Sequence, residues 1–597
     1  MAAMVRIQVR LSLPFGKAYD PAAIDRFGGS VTMPELTRRE RDVLVSLCRP
    51  LLGDDVVAQP ASVKEIANEL VVTEAAVKQH LLHLYDKLGI GEGGERRRVA
   101  LAREVIRLGL VEAPARLLPP PAVVDGSLAA AREAFQHHRW EEAAELLAEA
   151  DNREPLVAGD RLLLAEALMW ANRHAESFTA KERAYQAYLR SGDERRAGYV
   201  AVLLTIHHAN RLEMAVASGW LAKAQKLLER DPDSREYGYL AFVLTLLKEA
   251  AGEWDAVLEL AERMHELGRR HGDADLEALG LAYQGLVATR RGPLEEGGRL
   301  LDEAMASAVG GELGMLATGV IYCRMIGACL ALHDYRRAGE WTDVVDRCAH
   351  TTGVGGFPGD CRTHRTALLV KRGAWAQGEQ EALRAFEETQ LFDLPHTGAV
   401  ACELGELRRR RGDLDGADEA FSRAYEFGFN PRAGMALVQL ARGEVASAAA
   451  SIDEALADTG LDALAREPLL LARVEIALVE GNLSALRTAA HELDETARAF
   501  GTPALGADAA YANGAAELTG GDATEAARLL TLAHRLWLDA KEPYEAARSR
   551  ELLADAHLAN GKRDSANLEL RAARAAFDRL GARLDTERLD GRIAALV

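Results

Sequence analysis

The positions of the apolar residues predict helices along most of the chain. From residue 128 onward, a small residue is repeatedly followed by an apolar one four positions on and a small or apolar one seven positions on, often after a glycine five positions earlier. Offsets of four and seven lie on one face of an α-helix, and small residues there let a second helix approach closely. The stretch GDLDGADEAFSRA shows this frame best, with Gly412, Ala417, Phe421 and Ala424.

Repetition of this frame predicts an array of helical hairpins. Most steps are about 40 residues long, which leaves room for two helices and two short turns. We therefore predict an all-α protein in which residues 128–597 form a right-handed α-solenoid of about twelve tetratricopeptide-like hairpins with one concave face. The frame begins at Ala143, Ser177, Ala217, Val257, Gly297, Ala338, Gly378, Ala417, Ala448, Leu486, Ala526 and Ala566.

The region before the array divides into three parts. Apolar residues that alternate from Val5 to Leu13 predict a strand, and we assign residues 1–31 to an N-terminal strand or arm. Residues 32–111 carry further helix signals. The four prolines in EAPARLLPPPAVVDGS, residues 112–127, predict a semi-rigid extended linker.

Helix start signals within residues 32–111 predict a helix-turn-helix. Thr37 with Glu40, and Ser62 with Glu65, form two capping boxes, and the hydroxyl of Thr73 can cap a third helix. A connection of only about three residues separates the second helix from the third. Two short helices joined so tightly are typical of this motif.

The third of these helices has two predicted faces. One apolar stripe should lie in a core, whereas the opposite side, near the N-terminal half, is the part of a recognition helix that reaches base edges. Gln suits adenine, and Lys suits guanine or a phosphate. The core stripe is Val77, Leu81, Leu84 and Leu88, and the outward positions are Ala75, Lys78, Gln79 and Leu82.

Three stretches of this region resemble the LuxR/GerE-type helix-turn-helix of bacterial transcriptional regulators: LTRRERDVL (36–44), KEIANEL (64–70) and VTEAAVKQHLLHLYDKLGI (72–90). The resemblance implies that Lys78 and Gln79 face the major groove, and that Thr73 and His80 lie against the DNA backbone. It also implies a fourth helix at residues 95–111, where members of this family often dimerise.

Two features differ from the pattern of that family, and one run of basic residues has two alternative interpretations. An insertion within CRPLLGDDVVAQPAS places Asp54 and Asp55 in a loop between the first two helices, and Leu82 stands where such regulators can carry a basic side chain. Arg96, Arg97 and Arg98 form either a phosphate clamp or a solvated helix start. Residues 321–585 also resemble the helical-repeat region of large actinobacterial LuxR-type regulators, whose DNA-binding module is usually C-terminal rather than N-terminal.

Charge and composition narrow the class of protein. The net charge is −19, but residues 1–110 carry 16 basic and 14 acidic side chains, so any DNA contact belongs to the N-terminal fifth. Six cysteines without paired spacing fit a reducing cytosol.

Because no secretory signal is present and no apolar run approaches the ~18 residues that cross a bilayer, we expect a cytoplasmic protein with no membrane partner.

The sequence offers no complete set of residues for catalysis. No GxxxxGK[ST] phosphate loop is present, and no nucleophile, base and orienter stand together, so we expect neither a cofactor nor an enzyme. Several Cys and His residues give only half of a metal-binding motif, and core packing is the favoured interpretation. These residues are Cys323, Cys329, Cys348, His350, Cys361 and His364.

Two functional hypotheses follow from the sequence. The first is a transcriptional regulator that binds double-stranded DNA, as a monomer or as a homodimer, with a solenoid that senses a peptide or protein effector. The alternative is a non-enzymatic interaction scaffold that uses the helix-turn-helix for protein binding or dimerisation. The sequence names neither the operator nor the effector, and it does not separate activation from repression.

Overall fold

A computed structural model describes residues 43–44, 46–48, 61–70, 72–87, 97, 101, 105, 128–292, 294–352 and 358–596. The described residues fall into two compact units, one within residues 14–125 and one within residues 126–597. The predicted strand at 4–13, the first capping box and the linker at 112–127 lie outside the described residues.

The smaller unit contains the predicted pair of short helices. Helix α1 spans Val63–Leu70 and helix α2 spans Glu74–Lys87. The connection is tight, since the amide of Val72 donates to the carbonyl oxygen of Ala67 at 3.0 Å. Apolar residues from the helical positions 43, 44, 47 and 48, from α1 and α2, and from positions 101 and 105 share one buried core.

The larger unit consists of helices throughout the part that the structure describes, arranged as twelve consecutive pairs and one final helix. The first six pairs are α3 (Leu128–Gln136) with α4 (Trp140–Arg153), α5 (Ala158–Trp170) with α6 (His174–Arg190), α7 (Glu194–Asn210) with α8 (Met214–Leu228), α9 (Arg235–Ala250) with α10 (Trp254–His271), α11 (Ala274–Arg291) with α12 (Leu294–Val309), and α13 (Met315–Ala331) with α14 (Tyr335–Thr352).

The remaining pairs continue to the end of the described chain. They are α15 (Pro358–Lys371) with α16 (Trp375–Thr389), α17 (Leu394–Arg411) with α18 (Leu414–Glu426), α19 (Arg432–Ala441) with α20 (Val445–Leu456), α21 (Ala463–Glu480) with α22 (Leu483–Phe500), α23 (Pro503–Gly520) with α24 (Ala523–Asp539), and α25 (Pro543–Ala559) with α26 (Arg563–Leu580). Helix α27 (Arg583–Leu596) follows the last pair.

The repeated frame lies on the second helix of each pair, which confirms the predicted all-α solenoid. In α18, Ala417, Phe421 and Ala424 are all buried, as the spacing requires. The first helices are enclosed on more sides, since α11 buries the consecutive residues Ala278, Leu279 and Gly280, which point in different directions around the helix. The second helices are therefore amphipathic and face solvent on one side, while the first helices lie inside the array.

The turn within each pair contains a residue with positive φ, which lies five positions before the first residue of the repeated frame. Glycine adopts that conformation without steric penalty and occupies eight of the twelve turns. The exceptions are His138, Asn172, Leu212 and His333. These four turns hold a non-glycine residue in a conformation that is unfavourable by about 1–2 kcal/mol.

Repeats that are far apart in sequence also share a core, so the array is more than a chain of neighbour contacts. One buried apolar cluster joins residues of α7 to α14 with residues of α21 to α25. A second joins Val370, Trp375 and Leu407 to residues of α25, α26 and α27. A solenoid in which each repeat contacted only its neighbours would show neither cluster.

Among the helices that the structure describes, none is both long enough and apolar enough to cross a membrane.

We predict that Phe421→Ala destabilises the centre of the solenoid by about 3–5 kcal/mol. The Phe421 ring lies directly against Gly405 and Gly434, where an added Cβ would come within 2.6 Å and 2.3 Å of ring atoms. Hydrogen exchange of residues 394–441 and chemical denaturation measure the effect. Leu568→Ala, at a side chain that is 68% exposed, is the control and should change stability by less than about 0.5 kcal/mol. Equal exchange in both variants would contradict the packing described for Phe421.

Candidate functional site

Helix α2 presents the face that the sequence predicts for DNA contact. Thr73 caps it, since the amide of Ala76 donates to the Thr73 hydroxyl at 3.3 Å. Lys78 and Gln79 are exposed, and Leu82 is 53% exposed. His80 is half-buried.

The buried side of α2 confirms the predicted core stripe. Val77, Leu81 and Leu84 are buried together with Tyr85, whereas Leu88 lies outside the described residues. The side chain of Ala75 is also outside them. The two faces of α2 are therefore divided as the periodicity predicts.

Of the three arginines proposed as a phosphate clamp, the structure describes only Arg97. It is half-buried, and its guanidinium lies 4.6 Å from the centre of the Tyr85 ring. A cation over an aromatic face is a favourable packing arrangement. Arg96 and Arg98 lie outside the described residues, so the clamp stays a prediction.

In the larger unit, the ends of early first helices meet the beginnings of later ones. We call this set of end-to-end contacts the seam. Arg290, near the end of α11, pairs with Asp462, the N-cap of α21, at 2.7 Å. Lys371, the last residue of α15, lies 3.6 Å from Glu542, the N-cap of α25.

The seam continues at α17, where Arg410 lies 3.1 Å from Glu545 in the first turn of α25. Each contact combines a base at a helix C-terminus with an acid at a helix N-terminus. Both groups complement the dipole of the helix that carries them, as well as each other. The seam is therefore stabilised by two kinds of charge interaction in each contact.

The inner faces of the first helices carry a connected charge network. Arg548 of α25 pairs with Glu475 of α21 and with Glu545 at 3.0 Å, and it lies 3.3 Å from the hydroxyl of Tyr511. The side chains of Arg548 and Glu475 are each 20% exposed. Water therefore screens these charges only in part.

Helix α17 contributes a second centre to this network. Glu406 accepts hydrogen bonds from Arg409 at 2.7 Å and from Arg410 at 2.6 Å. Burial on its own would raise the pKa of Glu406, but these two guanidinium groups hold it far below the ordinary value. The carboxylate is therefore charged at neutral pH.

One part of the seam departs from the pattern of base and acid. The turn between α13 and α14 places His333 where the other contacts place arginine or lysine. Its Nε2 lies 3.4 Å from a Glu467 oxygen and its Nδ1 lies 3.6 Å from an Asp508 oxygen. These side chains are 12%, 5% and 1% exposed, respectively. We call His333, Glu467 and Asp508 the histidine–carboxylate cluster.

The cluster is rich in carboxylates that carry few hydrogen bonds. Neither side-chain oxygen of Asp508 has a hydrogen-bond partner, and the same holds for Glu542 and for one oxygen of Glu467. Burial, and then the charges of Glu467 and Glu542, raise the pKa of Asp508 well above its ordinary value. Buried carboxylates in this state need either a proton or a cation.

One aromatic side chain and one basic side chain lie next to the cluster. The Tyr335 ring stacks on the His333 ring with centroids 5.5 Å apart. The Lys371 amine lies 5.6 Å from the centre of the Tyr335 ring. Burial lowers the pKa of Lys371, but the charge of Glu542 outweighs this effect and raises it above the ordinary value. Lys371 is therefore a cation at neutral pH.

Sequence reasoning missed this cluster because its members are separated by 134 and 41 residues, and no local spacing connects them. A signal was nevertheless present. His333 stands five positions before Ala338, where most repeats have glycine. A non-glycine residue in such a strained turn is a candidate for a side chain that is used, and three other turns share this feature.

The cysteines that raised the metal hypothesis are dispersed in the part of the chain that the structure describes. Cys329 is buried within the main apolar core, which agrees with the packing interpretation. Its burial raises the pKa of the thiol to about 12, so it is not a thiolate. Cys323 is half-buried. The side chains of Cys348, His350 and Cys361 are outside the described residues.

Comparison with known proteins finds similarity to solved structures but no match in sequence. No protein-family model matches the chain, and no curated protein matches it in sequence. One solved structure to which it is similar is titled "Crystal structure of APC/C hetero-tetramer Cut9-Hcn1". The two are 13% identical, and the match has a TM-score of 0.33 and covers 77% of this chain and 95% of that one. A similarity at this level carries no functional conclusion.

The helical hairpins themselves define the class of protein, which is an α-solenoid of tetratricopeptide-like helical hairpins. Because no family model matches the chain, the resemblance to the LuxR/GerE-type family stays a prediction.

We predict that Arg548 and Glu475 are energetically coupled. Arg548→Met leaves Glu475 without its cation and should cost about 3–5 kcal/mol, while the double variant with Glu475→Gln should recover at least about 1 kcal/mol. Chemical denaturation of the four proteins in the cycle measures the coupling.

The matched control is the exposed pair of Arg528 and Glu525, which are one helical turn apart on α24. Its coupling energy should be much smaller, because solvent screens the pair. If the two cycles give the same coupling energy, the inner network does not contribute to holding the helices together.

Proposed function

We propose that this chain is a non-enzymatic interaction protein whose solenoid binds a protein or peptide partner. The observation that carries the proposal is a group of exposed apolar side chains around the beginning of α17. We call Leu391, Tyr425 and Phe429 the apolar patch; their exposed fractions are 63%, 51% and 40%.

Phe429 lies near the beginning of α17, Leu391 precedes that helix in the chain, and Tyr425 lies near the end of the helix paired with it. Leu391 precedes α17 by three residues. Phe427 and Phe429 lie against Gly398, one turn into the same helix, where an added Cβ would meet their Cβ atoms at 3.1 Å and 3.2 Å. Tyr425 belongs to the last turn of the neighbouring α18.

The patch is held in place by contacts with an earlier part of the solenoid. The ring of Phe392 stacks on His174 with centroids 4.9 Å apart. The amide of Asn210 donates to Asp393, the N-cap of α17, at 3.3 Å. A group of apolar and aromatic side chains that is both exposed and fixed in position is typical of the centre of a protein interface.

This proposal predicts a partner that can be cross-linked from the patch. A photoreactive phenylalanine analogue is placed at Leu391 or at Tyr425 in the full chain, expressed in its native host. We expect a discrete cross-linked polypeptide of the same mass from both positions, because one partner would cover both.

The control carries the same analogue at Leu568, which is 68% exposed on the outer helix α26. It should yield no such product. Equal products from all three positions would show non-specific contact, and no product from either patch position would overturn the assignment of the patch.

A second candidate function is DNA recognition by the smaller unit, and a specific observation favours it. Lys78 and Gln79 are exposed on a helix that follows a tight turn, while its apolar side is buried. This arrangement matches what a recognition helix needs in order to enter the major groove. In this hypothesis the chain is a transcriptional regulator that acts as a monomer or a homodimer, and the solenoid binds its effector.

We predict that the full chain enriches particular sequences from random double-stranded DNA at low salt, and that Lys78→Ala weakens binding to them. The expected loss is about 1–3 kcal/mol if Lys78 contacts a base. If it contacts a phosphate instead, the slope of the logarithm of the binding constant against the logarithm of the salt concentration should decrease in magnitude by about 1. Fluorescence anisotropy over a range of salt concentrations separates these cases.

Arg336→Ala is the control, because Arg336 is a comparably exposed cation on the solenoid. It should leave DNA binding unchanged. If no sequence is enriched at low salt, or if Lys78→Ala behaves like the control, then α2 does not read DNA and the interaction proposal stands without it.

A further inference from the structure

We propose that His333, Glu467 and Asp508 bind one divalent transition-metal ion, which joins two distant parts of the solenoid. One imidazole nitrogen and two carboxylate oxygens supply the ligands. With one atom taken from each residue, the ligand atoms all lie within 4.8 Å of one another. Among the residues that the structure describes, this is the one set of three such groups that could hold a metal ion.

The contacts within the cluster are longer than hydrogen bonds, and one of them matches the spacing of metal ligands. Nitrogen and oxygen ligands of zinc stand about 2.0–2.2 Å from the ion, so two of them in tetrahedral geometry lie about 3.4 Å apart. The Nε2 atom of His333 is 3.4 Å from a Glu467 oxygen, which matches this spacing. The 3.6 Å contact with Asp508 is made by Nδ1. Because one ion takes only one nitrogen of an imidazole, Asp508 must move toward the Nε2 side when the ion binds. Both contacts exceed the range of about 2.7–3.2 Å for a hydrogen bond between nitrogen and oxygen.

The charges around the cluster also favour a cation. Glu467, Asp508 and Glu542 are three buried carboxylates, and Lys371 is the nearby fixed cation. Elsewhere in the seam, each acid at a helix N-terminus faces its own arginine or lysine. At α13 the corresponding group is an imidazole, which is a metal ligand in its neutral form.

Asp508 supplies an observation that is independent of the ligand spacing. It lies inside α23, it is 1% exposed, and neither of its side-chain oxygens accepts a hydrogen bond. An unpaired buried carboxylate is strongly destabilising. A divalent ion removes that penalty by replacing a proton or a missing donor on the carboxylate.

The ligand set indicates the class of ion and the consequence of binding. Imidazole with two carboxylates suits zinc or another first-row divalent ion better than magnesium or calcium, which prefer oxygen alone. His333 belongs to the turn between α13 and α14, whereas Glu467 and Asp508 belong to α21 and α23. A bound ion would therefore lock the seam between these two parts of the chain.

Two variants remove ligands while keeping the fold. His333→Gly introduces the residue that most of the twelve turns already use at this positive φ, so it should relieve backbone strain. Asp508→Asn keeps the shape of the side chain and removes its charge. His138→Gly is the matched control, because His138 occupies the same turn position in the first pair, with φ 57, and is exposed.

The experiment uses the full chain after chelator treatment and titrates it with zinc alone. Calorimetry, metal content after gel filtration and thermal unfolding are measured for all four proteins. We expect the wild type and His138→Gly to bind one more equivalent of zinc than the other two variants, with a higher melting temperature. The affinity at this site should fall by at least about 100-fold in His333→Gly and Asp508→Asn.

Cobalt substitution identifies the ligands. The equivalent that is lost in His333→Gly should give a spectrum without the thiolate charge-transfer band that cysteine ligation produces. Equal zinc binding by all four proteins would overturn the proposal, as would a thiolate band for this equivalent. If the stripped wild type binds no zinc equivalent that depends on His333, then the cluster is an ion pair of imidazolium and carboxylates.

Discussion

The structure depends on the pairing of helix C-termini with helix N-termini along the seam. Arg290 with Asp462, Lys371 with Glu542, and Arg410 with Glu545 each join residues more than 130 positions apart. Each pair places a cation on the negative end of one helix dipole and an anion on the positive end of another. Because these groups are largely shielded from water, their attraction is screened less than that of a surface pair. The repeats are thereby held in one arrangement, and the inner network around Arg548 can form.

The sequence predicts the repeats but not the seam, and the reason is physical. The frame around Phe421 is local, since offsets of four and seven bury one face of a helix wherever that helix lies in the chain. The hairpins and their buried small residues were therefore predictable from Ala417 and its counterparts. The partners of His333 come 134 and 175 residues later, and their positions depend on how tightly the repeats coil. Small rotations between successive pairs decide this coiling, and no single repeat encodes it.

The smaller unit shows the same division between local and distant effects. The cap at Thr73 and the burial of Val77, Leu81 and Leu84 followed directly from the sequence. The exposed positions of Lys78 and Gln79 followed as well, because they are set by the same period. What these side chains contact is a property of a second molecule. Periodicity fixes which face of a helix is free, but it does not fix what that face binds.

The seam also changes how the solenoid can respond to a partner. In an array with neighbour contacts only, the effect of a ligand on one repeat passes from each repeat to the next and weakens with distance. Here the loop that carries Leu391 contacts His174 and Asn210, while the far end of the same helix α17 contacts Glu545 through Arg410. The histidine–carboxylate cluster belongs to the same set of contacts. A ligand that prefers one geometry of the seam therefore changes the free energy of that geometry everywhere along it. By linkage, the geometry then changes the affinity for the ligand by the same factor.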